Sequence, residues 1–165
     1  IAMVFQNYAL YPHMTVRDNI GFSLRLSRRP KPEIESRVNG AATILELVDY
    51  LERRPGQLSG GQRQLIAIAR AAAWGSRLII MDEPTAALGV AETRAVESVI
   101  QTLKARGFSV LIISHNLDQV FRLSDRIWVL RRGSMVGERR TASTHANEIV
   151  SLITGAAATA SEGRP

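Results

Sequence analysis

The spacing of apolar residues changes character along the chain. Residues 1 to 5, Ile-Ala-Met-Val-Phe, read as a buried strand with no turn or cap before it. From 15 to 29, Val16, Ile20 and Leu24 fall at helical spacing, and Arg28-Arg29-Pro30-Lys31-Pro32 stops the helix. Ile34, Val38, Ala41, Ala42, Leu45 and Val48 keep the helical period in a second helix that begins at Glu33. Residues 49 to 56 are polar, contain a proline and read as turns, and a third helix runs from about Gln64 to Ala73. Residues 13 to 75 are thus expected to be mostly helical.

Beyond Gly75 the pattern shifts. Residues 78 to 81 (Leu-Ile-Ile-Met) and 110 to 113 (Val-Leu-Ile-Ile) are short, continuously apolar and rich in β-branched side chains, as parallel strands buried on both faces are. Between them, residues 92 to 106 supply a helix closed by Gly107, so strand, helix and strand form a βαβ crossover. The class is α/β. Residues 127 to 130 form a further strand that meets a hairpin at Arg131-Arg132-Gly133-Ser134 before Met135 and Val136. Residues 155 to 165, rich in Ala, Gly, Ser and Thr, read as a flexible tail. Residues 1 to 154 make one domain, with 13 to 75 as a helical subdomain and 76 to 154 as the α/β part.

Composition narrows the classes further. The chain has 165 residues, 45% hydrophobic and 22% charged, which excludes collagen-like, mucin-like and fully disordered proteins. No apolar run approaches the roughly 18 to 20 residues that span a bilayer. With no cysteine there is no disulfide framework, thiolate metal site or cysteine nucleophile. Twenty-one basic against 15 acidic residues leave a net charge of +6, compatible with nucleic acid, an anionic membrane surface or a phosphate-bearing ligand.

Four short segments carry chemistry. The strand at 78 to 81 runs into Asp82-Glu83-Pro84, placing two carboxylates at the carboxyl end of a strand, where open α/β sheets bind ligands. Pro84 keeps Glu83 out of helical geometry. In a nucleoside triphosphatase such a pair divides the work: Asp82 holds Mg²⁺ and Glu83 orients or deprotonates water. An acidic turn after a core strand has the same appearance. Leu58-Ser59-Gly60-Gly61-Gln62 precedes the third helix, with Ser59 as N-cap and two glycines that let backbone N–H groups approach an anion, or simply a flexible lead-in to a capped helix. The strand at 110 to 113 ends in Ser114-His115-Asn116, bringing an imidazole to the same sheet edge. Gln6 follows the first strand and can reach a metal and a water.

Taken together and in this order, these segments resemble the nucleotide-binding domain of ATP-binding cassette (ABC) transporters, over all but the last ten or so residues. Val4-Phe5-Gln6 is similar to the Q-loop, residues 58 to 64 to the family signature, 79 to 83 to the Walker B strand and Ser114-His115 to the switch histidine. The resemblance implies a P-loop NTPase-like fold using ATP and Mg²⁺, with Glu83, His115 and Gln6 catalytic, and Asp82 and Gln6 at the metal. It implies that Ser59, Gly60, Gly61 and Gln62 contact the ATP of a second ATPase domain in a head-to-tail homodimer or heterodimer. It also implies permease subunits as partners, a substrate-binding protein reached through them, and a peripheral place on the cytoplasmic face of the membrane. Residues 5 to 64 resemble the ATPases of disaccharide and glycerol-phosphate importers, and those after Leu65 resemble monosaccharide importers, so carbohydrate import is expected and a recombined gene is one explanation.

Two departures qualify the expectation. Gly89 stands where the family's D-loop carries aspartate. No G-x-x-x-x-G-K-[ST] loop is present to cradle the β- and γ-phosphates, and the base-stacking aromatic is missing too. The chain is therefore expected to be a cassette lacking its N-terminal β-subdomain and Walker A segment, inactive by itself. A non-catalytic remnant is the alternative. The basic pairs at 28–29, 53–54, 131–132 and 139–140 do not interleave with aromatics, which are only 5% of residues, so nucleic acid is not expected as a partner.

Overall fold

The computed structural model describes residues 1–75 and 77–156. It resolves into two compact units, Ile1–Ser114 and His115 onward. The first unit is built on a parallel sheet of β1 (Ala2–Val4), β2 (Leu78–Asp82) and β3 (Ser109–Ile113), with β2 in the middle. The register sets Val4 beside Met81 and Met81 beside Ile112. Ile79 and Met81 are fully buried, which makes β2 the core strand its sequence promised. The two edge strands correct the expectation of complete burial: β1 buries only Val4, and every residue of β3 retains some exposure. An edge strand has a sheet neighbour on one side only, so its apolar run is covered less completely.

Four helices complete this unit: α1 (Val16–Leu26), α2 (Lys31–Ile44), α3 (Gly60–Ala73) and α4 (Val90–Ala105). Three of them start earlier than expected, each for a local reason. Helix α2 begins at Lys31 because Pro30 serves as N-cap and Pro32 sits in the first turn, where a missing N–H costs nothing. Ser59 caps α3 by accepting from Gln62 N, so the two glycines already belong to the helix. In α4, Glu92 reaches back to the N–H of Gly89, and the helix starts two residues before it, at Val90. Short 3₁₀ turns at Val48–Tyr50 and Pro55–Gln57 fill the stretch expected to turn. Helix α3 buries nine of its residues and packs against α1, α2, α4 and β1, so it is a central helix with little solvent face.

The second unit has its own small core. Helix α5 (Leu117–Leu123) leads into the antiparallel pair β4 (Arg126–Arg131) and β5 (Ser134–Arg140), and α6 (Ala146–Thr154) follows. Ile127, Val129 and Ile149 are buried, and Leu117, Val120, Phe121, Val136 and Leu152 pack on them. The hairpin lies where expected. Arg132 (φ 49°) and Gly133 (φ 79°) are both left-handed, as a two-residue turn matched to strand twist requires. β5 runs on to Arg140, beyond the expected Met135 and Val136, and α5 and α6 are additions to the expected elements. Gly155 (φ 84°) caps α6, and residues 157 to 165 of the expected tail lie outside the described residues. No described helix is long and apolar enough to cross a membrane.

Candidate functional site

The carboxyl ends of β1 and β2 open into one hollow. Phe5, Gln6, Asn7, Tyr8, Asp82, Ala86 and Ala87 line it, so the structure brings Gln6 and Asp82 together. Asp82 is half-buried at the end of β2 and Gln6 is exposed in the loop after β1. Glu83 follows directly, its N–H donating to the Ile113 carbonyl at 2.9 Å as a continuation of the sheet ladder. Its φ of 47° is left-handed, and Ala87 in the same turn has φ 63°. Left-handed conformations at non-glycine residues carry strain of order 1–3 kcal/mol and persist only where the surroundings impose them. Pro84 signalled that Glu83 leaves helical geometry; the left-handed well it takes instead had no signal.

The loop that carries Gln6 is strained in the same way, with Tyr8 at φ 62° and Ala9 at φ 45°. Arg70, on α3, holds it by donating to the Ala9 carbonyl at 2.6 Å and the Tyr8 carbonyl at 3.3 Å. Burial lowers the pKa of this guanidinium, an effect partly offset by Tyr11, and it stays charged in any case. The Tyr8 ring lies 5.7 Å from the Arg63 guanidinium carbon. No motif gave Arg70 or the Tyr8 ring a role, because their partners, two backbone carbonyls and the Arg63 guanidinium, are contacts that no short motif encodes.

The first turn of α3 is the second part of the site. Ser59 N–H donates to Gln62 Oε1 at 2.9 Å, and Gln62 N–H donates back to Ser59 Oγ at 3.3 Å. Gly61 N–H donates to Glu92 Oε1 at 3.1 Å. The other oxygen of Glu92 accepts from Gly89 N–H at 3.3 Å. The Gly61 N–H, the Ser59 hydroxyl and the Gly89 N–H, in that order, hold this carboxylate below the usual glutamate range, and Arg63 adds to the effect. A Cβ on Gly61 would sit 2.9 Å from Glu92 Cβ, so the glycine admits the neighbouring side chain. On the other side, Gly60 faces the Tyr8 hydroxyl and Leu88.

Among the described residues no group of three or more His, Asp or Glu side chains could hold a metal. Mg²⁺ does not need one: it takes one or two protein oxygens and completes its shell with phosphate and water. Asp82 and Gln6 in one hollow fit that demand. His115 opens the second unit, exposed, just before Asn116, whose side chain caps α5 by accepting from Gln119 N–H at 3.1 Å.

The family model described as ABC transporter matches residues 1–86. The alpha-glucoside transport ATP-binding protein AglK of Rhizobium meliloti is 46% identical over 135 residues, 81% of this chain and 37% of that protein. The sn-glycerol-3-phosphate import ATP-binding protein UgpC of Paracoccus denitrificans is 44% identical over 134 residues, 81% of this chain and 38% of that protein. The spermidine/putrescine import ATP-binding protein PotA of Nitratidesulfovibrio vulgaris is 43% identical over 133 residues, 80% of this chain and 36% of that protein. The chain thus spans little more than a third of the length of these relatives. Of solved structures, the dimeric bacterial ABC transporter cassette MJ0796 matches with TM-score 0.71 and 29% identity, covering 86% of this chain and 62% of that one.

Proposed function

Because this chain belongs to the ABC transporter family, we propose that it forms part of the ATP-binding and ATP-hydrolysing subunit of an importer. The observation that carries the reading is the shared hollow of Gln6 and Asp82 with Glu83 next in the chain. In this reading Asp82 and Gln6 hold Mg²⁺, which neutralises phosphate charge when bound. Glu83 takes a proton from the attacking water, and His115 contacts the terminal phosphate. Ser59, Gly60, Gly61 and Gln62 face the ATP of a second ATPase domain. That domain and the permease subunits are the partners, at the cytoplasmic face of the membrane. A sugar is the proposed cargo, supported by the alpha-glucoside and glycerol-phosphate relatives; the polyamine relative is the competitor that an uptake assay has to beat.

The test is Glu83→Gln, made with this sequence set in a cassette that carries a phosphate-binding Gly-Lys loop. Loss of the base lowers turnover by about 10²–10⁴ while ATP binding stays. Near-normal turnover removes Glu83 from its role. His115→Ala lowers turnover more than affinity, and a pure affinity defect contradicts the assignment. The 165 residues by themselves release no phosphate from Mg²⁺-ATP above background, since no lysine loop is present to hold the β- and γ-phosphates.

A further inference from the structure

The donors at the start of α3 already have an anion. One carboxylate, Glu92, accepts from Gly61 N–H at 3.1 Å and from Gly89 N–H at 3.3 Å. It therefore sits at the N-terminal ends of two helices, its own α4 and the neighbouring α3, where backbone N–H groups and the helix dipole favour negative charge. The packing is close enough that a side chain at position 61 would collide with it.

We propose that Glu92 is an autoinhibitory latch: its carboxylate fills the Gly61 donor that a phosphate approaching α3 would use, so the phosphate has to displace it. This deepens the assignment of Ser59 and Gly61 above and rests on it. A carboxylate and a phosphate oxygen compete for the same N–H, so the exchange is one for one. Displacement also frees the Gly89 N–H at the end of the turn that begins just after Glu83. Arrival of an anion at α3 thereby loosens the segment leading away from the catalytic carboxylate, giving a physical link between the two parts of the site.

The probe is inorganic phosphate, followed by NMR at the Gly61 and Gly89 amides of the full 165-residue chain and of Glu92→Gln and Glu92→Ala. In the wild type, Gly61 and Gly89 are protected from hydrogen exchange, and Glu92→Ala removes protection at both. Phosphate half-saturates the Gly61 shift at a concentration about fivefold lower in either variant than in the wild type. Unchanged Gly61 protection in Glu92→Ala overturns the latch and leaves the assignment of Ser59 and Gly61 standing. Equal phosphate midpoints in all three proteins also overturn it. A Gly61 amide that phosphate fails to move in any of the three overturns both the latch and the phosphate-contacting role of α3. If one variant fails to fold, the other carries the comparison.

Discussion

The first turns of α1 and α3 start from the same chemistry and end differently. Each is capped by a hydroxyl, Thr15 accepting from Asp18 N–H and Ser59 from Gln62 N–H. Each places a buried amide a few residues on, Asn19 in one and Gln64 in the other. At α1 the side-chain bonds close locally, and the Val16 and Arg17 N–H groups donate to the Arg53 and Leu51 carbonyls at 2.8 and 2.9 Å. Asn19 Oδ1 accepts from Tyr11 N–H at 2.8 Å, and its Nδ2 donates to the carbonyls of Tyr11, Met14 and Thr15, while the Thr15 hydroxyl donates to Asp18. At α3 the carboxylate is borrowed from another helix, and both polar atoms of the Gln64 side chain are buried without a partner among the described residues. The contrast sets a helix start whose side chains satisfy one another against one that takes its acceptor from another helix, the acceptor that the proposed latch has a phosphate displace. A fully satisfied first turn has no donor to offer a ligand.

The largest test of this contrast is Asn19→Ala, which leaves four hydrogen bonds to the backbone unmade. The Tyr11 N–H and the Met14 carbonyl lose their partner in a part-buried turn, and unfolding free energy falls by about 3 kcal/mol, read by denaturant titration. A loss well under about 1 kcal/mol means that water replaces Asn19 easily and that the start of α1 is not the stable partner in the comparison. The second test runs in the opposite direction. Gln64→Met removes two unpartnered polar atoms at nearly constant volume and raises stability by about 1–2 kcal/mol. Destabilisation by that change would mean Gln64 has partners in solution, and the orphaned amide would no longer distinguish α3.

Much of this is legible in the sequence, for identifiable reasons. The cap at Ser59, the carboxylates at the end of β2 and the Arg132-Gly133 hairpin all depend on neighbours in the chain, and each lies where expected. Glu92 reads from its spacing as the start of a helix, although a glutamate three residues after Gly89 is the signature of an N-terminal cap; its second bond, to Gly61, lies 31 positions away and has no local trace. Asn19 escapes because three of its partners are carbonyls, which every residue carries. Helices α5 and α6, of seven and nine residues, are too short to establish a period.

Removing the caps gives a smaller effect. Thr15→Ala costs about 1 kcal/mol, the usual value for an N-cap. Ser59→Ala costs less, because the acceptor left at α3 is the ionised Glu92 carboxylate on Gly61 N–H, whereas those left at α1, the Arg53 and Leu51 carbonyls, are neutral. Paired melting curves give the order. If Ser59→Ala costs as much as Thr15→Ala, Glu92 contributes little at α3, and the two helix starts are more alike than their bonds imply.

The smallest expected effect is in pH, and it isolates the borrowed carboxylate. The Gly61 N–H, the Ser59 hydroxyl and the Gly89 N–H lower the pKa of Glu92 in the folded chain, so the folded state binds its proton less readily than the unfolded one. Its contribution to stability is therefore fully present above about pH 5, starts to fade near the unfolded glutamate value of about 4.3, and is gone below its own lower pKa. Glu148 is lowered as well, first by the Thr144 hydroxyl and then by Arg139, so acid weakens the second unit over the same range. Comparing wild type with Glu92→Gln cancels that common loss. The gap in melting temperature between the two proteins should be constant from about pH 8 to about pH 5 and shrink as the pH falls further. High salt should narrow the gap at neutral pH, since Arg63 and both helix ends act on an accessible charge. A gap that stays constant through the acid range would mean that the charge on Glu92 does nothing at α3, and that the first turn is held by the Ser59 and Gln62 bonds alone.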